Sequence, residues 1–273
     1  MPKRSKNSKA TAVSIPIRSL LHTARTAALR GGELALKGFA VHRRRSGEKY
    51  KKHLELVTEY DVKIEKLIRQ TIRQHFPDHQ INGEEDGSTG RKNRYLWQID
   101  PIDGTTNFTI HHPLFAVSVG LMYGGEPLLG VVYIPLTREL FWAVAGQGAC
   151  QGTKRIHVSN QSNLNRSIVS FEFSHDMKFN RQTLPWFTSW KLQKIKCRSI
   201  GSAAVSACYV AAGHLEAAIL SQVMPWDLAA GGLIVREAGG IYTDKEGVEK
   251  MVYDQPVIIS NKLIHQGLIK KIA

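Results

Sequence analysis

Cysteine is scarce in this 273-residue chain: only Cys150, Cys197 and Cys208, odd in number and widely spaced. They form no CxxC pair, which argues against a disulfide framework or a thiolate zinc site and points to a reduced, cytoplasmic compartment. Long apolar runs are missing too. No window approaches the roughly 18 uninterrupted apolar residues of a membrane span, so no membrane partner is expected. Internal repeats and low-complexity tracts are also absent. Acidic residues are in deficit, with 23 Asp and Glu against 37 Lys and Arg, a formal charge of +14. What remains, 42% apolar and 22% charged residues, is an ordinary globular composition with enough chain for a large core.

The basic excess is uneven. Residues 1–32 hold seven Lys or Arg and no acid, and a second cluster runs from Arg43-Arg44-Arg45 through Lys49, Lys51 and Lys52. One reading is attraction to polyanions such as RNA, a weak nucleic-acid contact through the arm, or steering of anionic substrates. The other is a solvated tail with a general basic bias, and it is favoured because only Tyr50 offers a stacking aromatic there. Ser14, Pro16, Arg18 and Ser19 interrupt any secretory apolar region, while an organellar transit peptide stays open on composition.

Residues 1–14 read as a disordered basic arm. Ile17, Leu20, Leu21, Ala24, Ala27, Ala28 and Leu29 follow helical spacing, and helix resumes from Glu33 to Phe39 despite Gly31-Gly32. Asp61 opens a second helix that Pro77 stops. Apolar runs at 116–123, 127–134 and 139–144 predict an antiparallel meander. Helices are expected over 203–212, 226–237 and 263–272, with strands at 214–220, 241–243 and 257–260. These patterns divide the chain into the arm, an α+β subdomain over 15–151 and an α/β subdomain over 152–273.

The most informative segment is Gln98-Ile99-Asp100-Pro101-Ile102-Asp103-Gly104-Thr105-Thr106-Asn107. An apolar strand ends in a carboxylate, Pro101 is expected to end the ladder and force a turn, and Asp103 returns a second carboxylate. Gly104-Thr105-Thr106 then supplies amides and hydroxyls. Carboxylates beside N–H donors suit divalent cations and a phosphate together. Asp61, Glu84, Glu85 and Asp227 are further candidates. Singly they have plain structural readings: Asp61 and Asp227 as helix N-caps, Glu84-Glu85 as a solvated turn.

Taken in order, Gly83-Glu84-Glu85, Trp97-x-x-Asp100-Pro-Ile-Asp103-Gly104-Thr105-Thr106-Asn107-Phe108 and Trp226-Asp227-Leu228-Ala229-Ala230-Gly231 resemble the three signature motifs of the inositol monophosphatase family. The similarity extends to Leu56-Val57-Thr58-x-x-Asp61, to Arg198-Ser199-x-Gly201-Ser202-Ala203-Ala204 and to Arg236-Glu237-Ala238-Gly239-Gly240. It implies a five-layered αβαβα fold of the sugar-phosphatase kind and a Mg²⁺-dependent, Li⁺-sensitive hydrolase of phosphate monoesters, commonly a homodimer. The resemblance assigns Mg²⁺ to Glu84, Asp100, the Ile102 carbonyl, Asp103 and Asp227. It assigns positioning of the water nucleophile to Glu84 and Thr105, with Asp61 orienting Thr105. Gly104, Thr105, Gly201, Ser202, Ala203 and Asp227 would contact substrate.

The resemblance departs at one position. Inositol-specific members carry a Glu seven residues before the Trp-Asp aspartate, and here that residue is Leu220, which accepts no hydrogen bond. Glu216 is too far along a strand to replace it and reads as a surface residue. The expected substrate is an inositol phosphate or a related small phosphorylated polyol. Histidinol phosphate and fructose 1,6-bisphosphate are alternatives. Thr106-Asn107 argues against adenosine bisphosphates. An RNA or transcription-complex role through the basic regions is the alternative of another kind. His111-His112 is expected to be a solvated or core-capping pair rather than part of the pocket mouth.

Overall fold

The structure, a computed structural model, describes residues 15–41, 49–51, 56–249 and 255–272. The basic arm, Arg43–Arg45 and Lys52 lie outside these residues. The elements are α1 (Ile17–Val41), β1 (Lys49–Tyr50), β2 (Leu56–Val57), α2 (Glu59–His75), β3 (Gln80–Gly83), β4 (Gly87–Thr89), β5 (Tyr95–Asp103) and α3 (Thr105–Thr109). Next come β6 (Ala116–Tyr123), β7 (Glu126–Ile134), β8 (Glu139–Val144), β9 (Ala149–Gln151), β10 (Lys154–Arg155), β11 (Ile168–Glu172) and α4 (Met177–Leu192). The chain ends with β12 (Lys196–Arg198), α5 (Ala203–Ala211), β13 (Ala217–Leu220), α6 (Pro225–Glu237), β14 (Ile241–Asp244), β15 (Val257–Ser260) and α7 (His265–Ile272).

Sheets and helices alternate in five layers. An eight-stranded sheet runs β10-β9-β8-β7-β6-β5-β3-β4, and a five-stranded sheet runs β12-β11-β13-β15-β14. In the larger sheet only β3 and β5 are parallel. Period-two alternation sorts side chains between layers. Val117, Val119, Leu121 and Val131 share a core with Leu20, Ala24, Ile64 and Ile68 of α1 and α2. Val132 and Ile134 face the other way, into a core with α5, α6 and the inner side chains Ala218 and Leu220 of the small sheet. Their neighbours Ala217 and Ile219 pack outward with Trp190 of α4 and Leu268 of α7. This is the expected αβαβα arrangement. Among the described residues, no helix is long and apolar enough to cross a membrane.

Local chemistry sets the elements that carry the site. Thr58 caps α2 and accepts from Tyr60 N, while Asp61 at N3 accepts from Thr58 N at 2.7 Å, a capping box. Asp61 is therefore not the N-cap itself. Asp227 likewise sits at N3, accepting from Met224 N at 2.7 Å, with Pro225 opening α6. α1 runs unbroken through Gly31-Gly32 because close packing requires those glycines: a Cβ on Gly32 would meet the Tyr133 ring at 2.3 Å. α7 starts two residues later than expected, after a turn entered at Lys262, whose φ is 62°.

Pro101 does something other than end the ladder. β5 continues to Asp103, but Asp100 pairs with Ser118 and Asp103 with Ala116, so β5 spends one extra residue there. Lacking an N–H, Pro101 sits in the resulting bulge. In a regular strand residues three apart point to opposite faces. The extra residue cancels that inversion: Ile99 and Ile102 both enter the core beneath α1 and α2, which leaves Asp100 and Asp103 on the same side of the strand.

Candidate active site

Three elements converge on Asp100. The parallel pairing of β3 and β5 sets Gly83 against Ile99, and Glu84 N donates to Ile99 O at 3.3 Å, so Glu84 emerges beside Asp100. Ser118, opposite Asp100 on β6, donates to Trp226 O at 3.2 Å and so ties down the start of α6. α6 lies unusually close to the sheet. A Cβ on Gly120 would meet Ala229 Cβ at 2.7 Å, and one on Gly130 would meet the Ala230 Cα at 2.7 Å. Those two glycines let the helix carry Asp227 down to the strand end.

Asp100 is buried, and its Oδ1 has no hydrogen-bond partner among the described residues. Burial, followed by the charges of Glu84, Asp103 and Asp227, holds its carboxyl well above the usual range. Asp103 is equally enclosed yet well served. Ser202 Oγ donates to Oδ2, Ala204 N donates to Oδ2 at 2.6 Å and Ala203 N donates to Oδ1 at 3.2 Å. Burial still pushes its carboxyl up to about 6, with these donors opposing and Glu172 adding to the rise.

Thr105 follows Gly104, whose φ of 95° turns the chain from strand into α3. A Cβ at Gly104 would sit 3.0 Å from Gly201 O, so the two glycine turns abut. The Thr105 hydroxyl lies 3.0 Å from both Asp61 Oδ1 and Ile102 O, and with one proton it serves one acceptor at a time. Asp61 also accepts from the Thr58 hydroxyl at 2.6 Å, and its carboxyl is raised by burial against these bonds. Asn107 joins the turns, donating to Leu114 O at 2.6 Å and Ile200 O at 2.7 Å.

The expected residues thus gather in one place: Glu84, Asp100, Asp103 and Asp227 around the bulge, Asp61 and Thr105 beside it, Gly201, Ser202 and Ala203 across from it. Among the described residues, no three His, Cys, Asp or Glu side chains form a ready-made metal cluster as placed. Most of these carboxylates are engaged by the protein. Lys51 Nζ donates to Glu84 Oε1 at 2.8 Å and Glu85 Oε1 at 2.6 Å, Asp103 is held by the α5 terminus and Asp227 by Met224 N. Burial disfavours the Lys51 ammonium, but the charge of Glu84 and the bonds to both glutamates outweigh it and keep the ammonium charged. Lys51 therefore belongs to the site rather than to a solvated basic loop. The Glu84 and Glu85 side chains, 15% and 7% exposed, do not form a solvated turn.

Several contributors escaped the sequence. Buried Glu65 accepts from Glu85 N at 2.8 Å and Asp86 N at 2.9 Å, and pairs with Arg69 at 2.7 Å. Arg69 in turn donates to Gly87 O at 2.6 Å and Thr89 Oγ1 at 2.7 Å. Their i,i+4 spacing was a readable signal of a pair, though not of its target. Glu216 is half-buried, and it accepts from Ser159 Oγ at 2.9 Å and Ile168 N at 2.7 Å. His111 packs its ring on Phe39 with centroids 4.8 Å apart, the core-capping role. Leu220 is buried in the middle core, in register with Glu172.

Known proteins are similar to this chain in sequence and fold. The model of the inositol monophosphatase family matches residues 17–273. A fructose-1,6-bisphosphatase/inositol-1-monophosphatase of Aquifex aeolicus is 36% identical over 255 residues, covering 93% of this chain and 95% of the relative. A Nus factor SuhB of Pasteurella multocida is 35% identical, covering 93% and 95%. The crystal structure of an extragenic suppressor protein suhB from Bartonella henselae superposes with a TM-score of 0.88 at 30% identity, covering 93% and 98%. On its sequence, its five layers and its gathered carboxylates, the chain belongs to the inositol monophosphatase family, an enzyme family of phosphate-monoester hydrolases.

Proposed function

We propose that the chain is a Mg²⁺-dependent hydrolase of small phosphorylated polyols or related metabolites. The observation that carries this reading is Asp100: a buried carboxylate with an unpartnered oxygen, set among three other carboxylates. A group so placed is costly unless a cation joins it. The donors are all oxygens, which suits Mg²⁺. Glu84, Asp100 and the Ile102 carbonyl would hold one ion, and Asp100, Asp103 and Asp227 a second. Bound there, Mg²⁺ supplies an acidified water and neutralises charge on the phosphoryl group and the departing alkoxide.

The protein's own groups do the positioning. If the Ile102 carbonyl held a cation, the Thr105 proton would go to Asp61 and leave the Thr105 oxygen to accept from a water. Glu84 would accept from the same water. The amides of Gly104 and Thr105 face the phosphate. Gly201, Ser202, Ala203 and Asp227 line the alcohol side. Leu220 offers no acceptor for a ring hydroxyl, so inositol 1-phosphate is one member of a substrate panel rather than the presumed substrate. Phosphate release from inositol 1-phosphate, histidinol phosphate and fructose 1,6-bisphosphate, with and without Mg²⁺ and Li⁺, tests this reading. Full activity in Asp100→Asn would sink it.

A second reading, polyanion binding through residues 1–14 and the Arg43–Lys52 cluster, rests on the charge of those segments. RNA binding that survives deletion of 1–14 and neutralisation of 43–45, or that is unaffected by salt, counts against it. A cytoplasmic homodimer is the expected form, and sedimentation measures the dimer.

A further inference from the structure

Glu172 closes β11 on the inner side of the small sheet and is 8% exposed. Among the described residues no Lys, Arg or His pairs with it. Its compensation comes from four donors instead. Oε1 accepts from the hydroxyls of Ser170 and of Ser206, the latter at 2.6 Å, and from Ile200 N at 3.3 Å. Oε2 accepts from Gly201 N at 2.7 Å. A buried carboxylate without a cation keeps its place only while such donors hold still, so the constraint runs both ways.

Among the described residues, its backbone donors are the consecutive amides of one turn, Ile200 and Gly201. That turn is gripped from the other side, where Asn107 donates to Ile200 O. The next three residues, Ser202, Ala203 and Ala204, deliver the donors that hold Asp103.

We infer that Glu172 is a positioning residue of the active site: it sets the turn 200–202 and, through that turn, the direction of the Asp103 carboxylate, without touching substrate or metal. The inference rests on the hydrolase reading only in its kinetic arm. Glu172→Gln keeps shape and one acceptor but turns an N–H towards a donor.

The test uses the full chain. Amide hydrogen exchange without metal is expected to quicken roughly tenfold over 199–206 in Glu172→Gln, as for loss of one charge-assisted bond, and to stay unchanged over 217–220. The Mg²⁺ concentration for half-maximal phosphate release is expected to rise roughly tenfold, with kcat at saturating Mg²⁺ kept within about twofold. Unchanged exchange over 199–206 overturns the inference. So does a loss of thermal stability with an unmoved Mg²⁺ midpoint, which is the mark of a merely structural group. Should Glu172→Gln fail to fold, Ser206→Ala, which removes one donor and keeps the carboxylate, is read by the same measurements with smaller shifts. A wild type that hydrolyses no panel substrate defeats the hydrolase reading, and the exchange result still decides the role of Glu172.

Discussion

The two sides of the site are built on opposite principles. On the α5 side, Asp103 is wrapped by a hydroxyl and two amides, and its turn is tied to Glu172 and Asn107. On the β3 side, Asp100 keeps an orphan oxygen beside Glu84, and the cation within reach of that carboxylate pair is a lysine from a distant loop. One side is finished by the protein. The other is stable only with positive charge added, and Lys51 provides some of it. The difference separates a scaffold from a place where a cation belongs: preorganisation accumulates around Asp103, and electrostatic demand is left at Asp100.

Four experiments press on this contrast. The largest effect is expected from Asp100→Asn, which removes the demand itself. Activity should fall on the order of 10³-fold or more, several kcal/mol of transition-state stabilisation, measured as kcat/KM at saturating Mg²⁺. The same variant should melt higher than wild type in chelator at about pH 8, because it no longer carries a buried carboxyl that must either keep a proton or bury a charge. An unchanged or lower melting temperature would show that Asp100 is already satisfied.

Glu65→Ala comes next. It strips the 84–86 turn of its two acceptor bonds and leaves buried Arg69 without its carboxylate, an expected loss of about 3–5 kcal/mol in urea unfolding. Arg69 keeps its bonds to Gly87 and Thr89, so a loss near the lower figure is consistent.

The pH dependence follows from Asp103, raised to about 6 when folded against an ordinary value of about 3.9 when unfolded. A carboxyl raised in the folded state ionises more readily once unfolded. Its contribution is therefore fully present below about pH 4 and is lost as pH rises through about 6, a change on the order of 3 kcal/mol. Asp100 and Asp61, raised too, act in the same direction. Chelated protein should unfold at lower urea at about pH 8 than at about pH 5, and Mg²⁺ should shrink the gap. A midpoint independent of pH and Mg²⁺ would mean that the carboxylates are already compensated.

Ser202→Ala is the mildest. It removes the α5 cap and one bond to Asp103, with an expected cost of about 1–2 kcal/mol by thermal or urea unfolding, while two amides still hold the carboxylate. A loss of activity as deep as that of Asp100→Asn would erase the distinction between the two sides.

Much of the site was readable before the fold was known, because its chemistry is written in short segments. The Thr58-x-x-Asp61 segment, the Asp100–Asn107 run and the Trp226-Asp227 helix start each depend on neighbours a few residues apart, although Asp61 and Asp227 read as N-caps and sit at N3. Pro101 shows the limit of such reading. As a residue without an N–H it signalled a break in the ladder, but whether that break became a turn or a bulge depended on β6 lying alongside. Lys51 shows it again. Its charge was evident, while its partners lie 33 and 34 residues away. The roles of Glu65, Glu172 and Asn107 were unreadable for the same reason: which amides surround a carboxylate, and which carbonyls surround an Asn amide, is decided by other elements.

By itself the sequence determined the periodicities that sort side chains into three cores, the caps that start α2 and α6, and the residue types able to bind a hard cation. Those depend on local sterics and on chemical identity, which a chain carries wherever it is placed. Only the tertiary structure decided that Asp100 and Asp103 share a side, that Gly120 and Gly130 admit α6 against the sheet, and that one carboxylate is satisfied while its neighbour is not. Each of these is a matter of distance between elements remote in the chain, and burial and charge act through distance.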